Sequence, residues 1–383
     1  MNATIALPQK IRSRRRERFF QQFLRPAGIE LNGRRPYDLA VRNDAFYDRA
    51  LPRGVSGILD AYVDGWWECD RLDELTARIL ARHADASAPG RIFQFLTTIS
   101  ARLLNRQSPQ GALRVRRHYD LGNDLFAAML DRRMVYSCAY WKDASDLDEA
   151  QEAKLDLAIR KLGLRPGMRV LDIGCGWGSF LKYAAERHGV TGVGVTLSKE
   201  QCELGRKICA GLPIELRLQD YREIADAPFD AIASIGMFEH VGYKNYRAFL
   251  QEVRRLLKPE GLFLLHTIGG NISRVATETW IDRNIFPAGM LPSARQITEA
   301  AEGLFVLEDW HNFGVDYDRT LMAWFENFRA GWPELREKYG DRFYRKWTCY
   351  LLTCAGAFRA RDMQLWQIVL SPFGVAGGYS APR

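Results

Sequence analysis

The sequence predicts an α/β chain: a parallel sheet covered by helices on both faces, preceded by a small mixed domain. Three observations carry this. Between about residues 148 and 266, short apolar runs alternate with stretches of helical period. Inside that region lies a glycine-rich strand-to-helix turn, Val170-Leu171-Asp172-Ile173-Gly174-Cys175-Gly176-Trp177-Gly178. The length of 383 residues leaves room for about two or three domains of roughly 150 residues each.

Residues 1–106 read as the small domain. Asn32-Gly33 predicts a hairpin turn. An aromatic run follows from Tyr62 to Trp67 and closes on Glu68-Cys69-Asp70. Ile92, Phe93, Phe95, Leu96, Ile99, Leu103 and Leu104 recur at spacings of three and four, which predicts a helix over 91–106. Arg91, Arg102 and Arg106 interleave with them, so this helix either packs on its own domain or lies on a lipid surface. Pro109 and Gly111, in a stretch without period, make 107–117 an interdomain linker. The second domain is 118–383. Its expected helices lie near 148–162, 177–188, 199–209 and 244–257. Its expected strands lie at Arg169–Ile173, 191–195, 214–219, Phe229–Ile235 and 262–266.

With 47% apolar and 26% charged residues, the chain is neither disordered nor collagen-like nor a coiled coil in its main architecture. No run approaches the roughly 20 apolar residues of a membrane-spanning helix. The net charge of +8 is unevenly placed. Residues 1–36 carry nine basic and two acidic side chains, 37–90 six basic and ten acidic, and 91–117 six arginines and no acid. The remainder is close to neutral. Basic charge clustered in the first third suggests a polyanionic partner, either anionic lipid or nucleic acid. The seven cysteines form no Cys-x-x-Cys pair, so a zinc ribbon or redox pair is not expected. Free thiols fit a reducing cytosol. Ser13-Arg14-Arg15-Arg16 has the look of a twin-arginine signal. However, Gln21, Gln22 and Arg25 interrupt Phe19, Phe20, Phe23 and Leu24, so export is not expected.

The glycine turn narrows the chemistry. Its spacing departs from the dinucleotide fingerprint Gly-x-Gly-x-x-Gly, and Asp172 precedes the glycines. Asp-x-Gly-x-Gly resembles motif I of the S-adenosylmethionine-dependent methyltransferases, where the turn packs on the methionine and ribose parts of the cofactor. The resemblance implies a Rossmann-like class I methyltransferase sheet with flanking helices. Such enzymes usually end the second strand with an acid for the ribose hydroxyls. Here the strand runs into Thr196-Leu197-Ser198-Lys199-Glu200-Gln201. Either Gln201 takes that role or the cofactor is held differently. Asp220, after the third strand, is placed to receive the adenine amino group or to cap the next turn.

Further motifs surround this turn. They include His118-Tyr119-Asp120-Leu121-Gly122-Asn123, Tyr136-Ser137-Cys138-Ala139-Tyr140-Trp141 and Gly236-Met237-Phe238-Glu239-His240. His266-Thr267-Ile268-Gly269, Asp309-Trp310-His311-Asn312-Phe313-Gly314 and Cys354-Ala355-Gly356-Ala357-Phe358-Arg359 follow. Together they resemble the cyclopropane-fatty-acyl-phospholipid synthases over most of the chain. The related mycolic-acid cyclopropane synthases share the sheet-domain motifs but lack a comparable N-terminal domain, which favours the phospholipid enzymes.

The resemblance implies transfer of a methylene from S-adenosylmethionine to a cis double bond of a phospholipid acyl chain. The product is a cyclopropane ring, reached through a carbocation that bound bicarbonate deprotonates. Bicarbonate would be held at Cys138, Glu239, His266, Ile268 and Tyr317. His266, Tyr317 and a backbone N–H near Ile268 would donate, and Glu239 would accept. The cofactor positions are Tyr136, Ser137, Gly174, Cys175, Gly176, Thr196, Leu197, Gln201 and Asp220. Catalytic positions are Glu239, His266, Tyr317 and Cys354. Because the mechanism demands no covalent nucleophile, Cys354 is read as lining the cavity, with a structural role as the alternative. Tyr317, Phe238, Trp310 and Phe313 are candidates to face the cation, with ordinary core packing as the alternative for each. No metal site is expected. The family implies a homodimer docked peripherally on the cytoplasmic face of an anionic phospholipid bilayer. Two competing readings remain. One is an acyl methyltransferase giving a methyl- or methylene-branched lipid. The other is a nucleic-acid methyltransferase or RNA-binding module, against which no Pro-Pro-Tyr/Phe or Pro-Cys motif follows the fourth strand.

Overall fold

The computed structural model describes residues 9–83, 121–275 and 279–383. The expected helix at 91–106, the linker at 107–117 and the opening of the His118 motif lie outside the described residues.

The small domain comprises helices α1 (Gln9–Leu24), α2 (Ala45–Val63) and α3 (Leu72–His83), with a two-stranded antiparallel ribbon of β1 (Ala40–Val41) and β2 (Trp67–Glu68). Its aromatic run forms a core: Trp67 stacks edge-on to Tyr62 at 5.1 Å and lies 6.4 Å from Phe46. The indole N–H of Trp67 donates to the Ile58 carbonyl at 2.8 Å. The Asn32-Gly33 hairpin is not formed. Asn32 is left-handed (φ 54°), and a wider loop closes by bonds from Asn32 N to Leu39 O and from Leu39 N to Glu30 O. The buried Asp38 carboxylate organises that loop, accepting from the backbone of Glu30 and of Arg35 at 2.9 Å each. A Cβ on Gly33 would sit 2.2 Å from Asp38 Oδ2, so the glycine makes room for a carboxylate rather than a turn.

The second domain is built on β3 (Arg169–Ile173), β4 (Thr191–Thr196), β5 (Ile214–Leu218), β6 (Phe229–Ile235), β7 (Leu257–Gly270), β8 (Val306–Asn312) and β9 (Met363–Ser371). Their order is β5-β4-β3-β6-β7-β9-β8. The five strands expected from the sequence are present and pair in parallel, with β7 longer than the expected 262–266. β9 runs antiparallel to both of its neighbours, setting His266 opposite Gln367 and Trp310 opposite Ile368. The sheet is therefore mixed at one edge.

Helices α4 (Asn123–Met129), α5 (Leu147–Leu162), α6 (Ser179–His188), α7 (Lys199–Ile208), α8 (Tyr246–Leu256), α9 (Thr279–Asn284) and α10 (Ala294–Ala301) surround it. α5 is bounded by chemistry visible in the sequence. Asp146 accepts the Glu149 N–H at 2.9 Å, and Gly163 ends the helix in the left-handed region. Val170, Leu171 and Ile173 are buried on both faces, as a central parallel strand requires. The chain moves from β3 to β4 and β5 in one direction and through β6 to β7 in the other. That reversal opens a crevice at the carboxyl ends of β3, β4 and β6, where ligands of such sheets bind.

Two long antiparallel helices, α11 (Val315–Tyr339) and α12 (Asp341–Arg359), join the domains. One continuous core holds Phe46 and Trp67 of the small domain together with Trp324 of α11 and Trp347 of α12. Arg345 donates to the Tyr62 carbonyl at 2.7 Å and to Glu68 at 2.9 Å. Arg359 bridges Asp73 of α3, at 2.6 Å, and Asp318 of α11, at 2.9 Å through each of two nitrogens. Between these ion pairs, Gly356 touches α3 so closely that a Cβ would lie 2.3 Å from the Asp73 carbonyl oxygen. By helix propensity alone, Gly→Ala inside a helix stabilises by about 1 kcal/mol. The contact at Gly356 reverses the sign: Gly356→Ala is expected to destabilise by about 1–3 kcal/mol through overpacking. Chemical denaturation checks this, and an unchanged or raised midpoint would refute the close docking.

Candidate active site

A single cavity occupies the crevice, and all nine residues assigned to the cofactor from the sequence line it. After β3 the chain turns at Gly174 (φ 88°), whose N–H donates to Val195 O at 2.9 Å. A Cβ there would fall 2.5 Å from Met237 Cβ, so a side chain would collide with the loop after β6. At the end of β4 the groups are neutral. Thr196 Oγ1 donates to Gln201 Oε1 at 3.1 Å and accepts from Ser198 N at 3.2 Å. The Gln201 amide nitrogen then lies 3.9 Å from the Cβ position of Gly176. An amide, able to donate and accept, thus stands over the turn where an acid is usual.

Asp220 lines the cavity but is already engaged. It caps the turn Tyr221–Glu223, accepting from Arg222 N at 3.0 Å, and pairs with the Arg222 guanidinium at 2.8 and 2.5 Å. Burial pulls its pKa up, yet the Arg222 bonds outweigh this and the net shift is downward. The capping alternative is therefore what the fold uses. Any hand Asp220 lends to an adenine is added to that ion pair.

Residues 134–137 also line the cavity, and the long helices pack behind them. Tyr136 shares a hydrogen bond with Tyr350 of α12 at 2.9 Å, and its ring lies 5.1 Å from Trp324 of α11. Ser137 accepts from the ammonium of Lys154 at 2.8 Å. Sequence reasoning missed Lys154, Tyr350 and Trp324. For Lys154 a signal was present: it lies on the apolar side of α5, four residues from Ala150 and Ala158, and Lys161 follows about two turns later.

The polar groups expected to meet beside this cavity do so in part. Glu239 is in the short turn Phe238–His240 after β6, 7% exposed, and its Oε1 accepts the Ile268 N–H at 2.7 Å. That backbone donor, expected to face a bound anion, is thus taken by the nearest buried carboxylate. Oε2 of Glu239 is buried without a partner among the described residues. Burial pushes this carboxyl up to about 7. Two residues before Ile268, His266 is 1% exposed, and its pKa is driven well below the ordinary value by burial, so the ring is neutral. Its Nδ1 faces the Gln367 amide nitrogen at 3.3 Å, which leaves the ring proton on Nε2. Nε2 likewise is buried without a partner among the described residues. One orphan acceptor, on the turn after β6, and one orphan donor, on β7, are thus left among the described residues. The His266 carbonyl accepts the N–H of Gly236, a residue of the cavity wall.

Tyr317, at the start of α11, is buried and stacks on Phe358 at 4.6 Å. It lies within electrostatic reach of Cys138, Tyr136, Glu239 and Cys354. The Cys138 thiol is buried and donates to the Ala139 carbonyl at 3.2 Å, so its sulfur is already committed. Cys354 packs against the same core, and burial pushes its thiol up to about 12. A thiol held neutral is a wall, not a nucleophile. Of the four aromatic candidates, Phe313 lies 6.0 Å from the His266 ring and Tyr317 belongs to the site wall. Phe238 and Trp310 do not: Phe238 stacks on Tyr246 at 4.3 Å and Trp310 meets Trp366 at 5.0 Å, in the core on another face of the sheet. Strand alternation and the turn after β6 aim them away.

The family model described as mycolic acid cyclopropane synthetase matches residues 106–368. The chain is 52% identical over 367 residues to the cyclopropane-fatty-acyl-phospholipid synthase of Escherichia coli (strain K12), covering 96% of each. It is 38% identical over 263 residues to cyclopropane mycolic acid synthase 1 of Mycobacterium tuberculosis, covering 64% of this chain and 92% of that protein. Among solved structures, the cyclopropane synthase MmaA2 from Mycobacterium tuberculosis superposes with a TM-score of 0.64 at 34% identity, over 68% of this chain and 97% of that one. Mycolic acid cyclopropane synthase CmaA1, complexed with SAH and CTAB, gives a TM-score of 0.63 at 36% identity, over 68% and 97%.

The raised pKa of Glu239 has a consequence for stability. Its ordinary value is 4.5, so the protonated carboxyl contributes stability fully below that pH and loses it as pH rises through about 7. Glu239→Gln cannot ionise. Relative to wild type it is expected to gain on the order of 2 kcal/mol between about pH 5 and pH 8. Urea denaturation in carbonate-free buffer measures this, and a pH-independent difference would refute it.

Proposed function

Because the chain belongs to the mycolic acid cyclopropane synthetase family, we propose that it cyclopropanates unsaturated acyl chains of phospholipids, with bicarbonate as the base. The enzyme is an S-adenosylmethionine-dependent methyltransferase that transfers a methylene to lipid. The observation that carries the finer reading is that two buried polar atoms, Glu239 Oε2 on the turn after β6 and His266 Nε2 on β7, have no partner among the described residues. The match to the phospholipid synthase extends through the small domain, over 96% of the chain, which supports phospholipid as substrate.

S-adenosylmethionine, when bound, supplies the methyl carbon. The residues that would hold it are Tyr136, Ser137, Gly174, Cys175, Gly176, Thr196, Leu197, Gln201 and Asp220. An alkene is a weak nucleophile, so holding it in line supplies much of the rate. Tyr317, Phe313 and Phe358 keep water from the cation that forms and offer it π faces, each worth about 2 kcal/mol when desolvated. Bicarbonate fits the orphan atoms: His266 Nε2–H is a donor, and Glu239 Oε2 accepts the anion's own hydroxyl. Bound there, it would supply the base that removes the proton before ring closure. Cys354, packed against the core with its thiol held neutral, takes no nucleophilic part. The protein is read as a peripheral homodimer on the cytoplasmic membrane face.

The test is incubation with methyl-labelled S-adenosylmethionine and vesicles of unsaturated phospholipid. Label is expected in the lipid, with ring-methylene protons by NMR and near-normal turnover in Cys354→Ser. Label staying out of the lipid refutes the reading, and olefinic methylene signals would favour the branched product.

Membrane docking has its own test. Arg18 and Phe19 are exposed on α1, whereas Arg16 is drawn into an ion pair with Asp48 of α2. Each Lys or Arg near an anionic bilayer contributes about 1 kcal/mol. Replacing Arg14, Arg15 and Arg18 by Gln is expected to weaken sedimentation with anionic vesicles at least tenfold, as added salt does, and to leave cofactor binding unchanged. Unaltered vesicle affinity would remove α1 from the docking surface.

A further inference from the structure

Gln367 of β9 sits at the centre of a polar row that crosses three strands. The register sets it opposite His266 of β7 on one side and opposite His311 of β8 on the other. Opposed residues of antiparallel strands project from the same face, so the three side chains share one face of the sheet. Beyond His311 the row ends on the ammonium of Lys161, 3.2 Å from His311 Nδ1. Gln367 and Lys161 are 0% exposed and His266 is 1% exposed, so water does not compete for their hydrogen bonds.

The amide nitrogen of Gln367 lies 3.3 Å from His266 Nδ1. An amide nitrogen donates and does not accept, so the ring nitrogen that faces it must accept. Burial keeps the ring from taking a second proton, and the positive fields of Lys154 and Lys161 add to that. A neutral imidazole has one proton to place, and a bare Nδ1 leaves it on Nε2, the ring atom without a partner among the described residues. We propose that Gln367 is a positioning residue for the reaction: it fixes the His266 proton on Nε2, so that the open side of the ring is a donor that selects an anion. With the proton on Nδ1, the same ring would present a lone pair at Nε2 and repel that anion. The role rests on the reading of bicarbonate as the base, whereas the tautomer does not. The antiparallel edge of the sheet thereby gains a use, because β9 in this register puts an amide donor behind the histidine.

The test joins nitrogen NMR of the 15N-histidine-labelled chain to a bicarbonate titration of turnover. The His266 signals are assigned by their loss in His266→Asn. In the wild type, in carbonate-free buffer, Nε2 is expected to be protonated and Nδ1 bare and hydrogen-bonded. Gln367→Met keeps the length of the side chain and removes the donor. It is expected to populate the second tautomer and to raise the bicarbonate concentration for half-maximal turnover about fivefold or more. The KM for unsaturated phospholipid and the affinity for S-adenosylhomocysteine stay as in the wild type. A proton on Nδ1 in the wild type would overturn the proposal without any variant, which covers the case of a Gln367→Met chain that does not fold. Unchanged bicarbonate dependence in that variant would also overturn it. A variant that weakens bicarbonate, lipid and S-adenosylhomocysteine alike would assign Gln367 to structure instead. Wild-type turnover indifferent to bicarbonate removes the base reading and this role together, whereas a proton on Nδ1 removes only the role.

Discussion

Desolvated charge at the carboxyl edge of the sheet is the constraint on which the rest of the structure depends. Lys154, Asp172, Glu239 and His266 are each at most 7% exposed, and all crowd the ends of β3, β6 and β7 or the helix that faces them. Ionised groups withdrawn from water cost several kcal/mol each unless compensated. Neighbouring amides answer part of that demand: the backbone N–H of Ile268 goes to Glu239, and the side-chain amide of Gln367 faces His266. Among the described residues, an oxygen of Asp172, an oxygen of Glu239 and a ring nitrogen of His266 are left without a partner.

Dryness on that scale needs a roof, and the roof is aromatic. Tyr136 lines the cavity, and behind it Trp324, Tyr317 and Phe358 of α11 and α12 continue a chain of ring contacts. The outer side of α12 is gripped by the small domain, through Gly356 against α3 and Arg359 against Asp73. The same helix carries Tyr350 to the Tyr136 hydroxyl and Cys354 to the site wall. The small domain is thus part of the packing that keeps the reaction away from water, one helix removed from it. A cation formed on a hydrocarbon chain survives only where water is excluded.

The parallel half of the sheet was legible because fully buried strands read as unbroken apolar runs between helical periods, as in Arg169–Ile173 and Phe229–Ile235. The edge was not. β8 mixes Glu308, Asp309 and His311 into its run, and nothing local in β9 says that it pairs antiparallel with β7. Most of the cofactor residues were readable as a set, because all but Tyr136 and Ser137 follow strand ends, and strand ends meet in this topology. Individual jobs were harder. Asp220 is committed to Arg222, the Ile268 N–H to Glu239, and Phe238 and Trp310 to core packing.

By itself, the sequence determined the alternation of strand and helix, the glycine turn after β3, the absence of an acid after β4 and the set of polar types that surround the cavity. These follow from periodicity and local backbone chemistry, which neighbours in the chain decide. Only the tertiary structure decided which donors and acceptors were already spent, which aromatic rings face the site, and that Gly33 and Gly356 make room for partners far away or folded back. Hydrogen-bond partners and free volume are properties of atoms brought together by packing. A buried lysine such as Lys154 acquires its meaning only when Ser137, Asp172 and the cavity are seen around it.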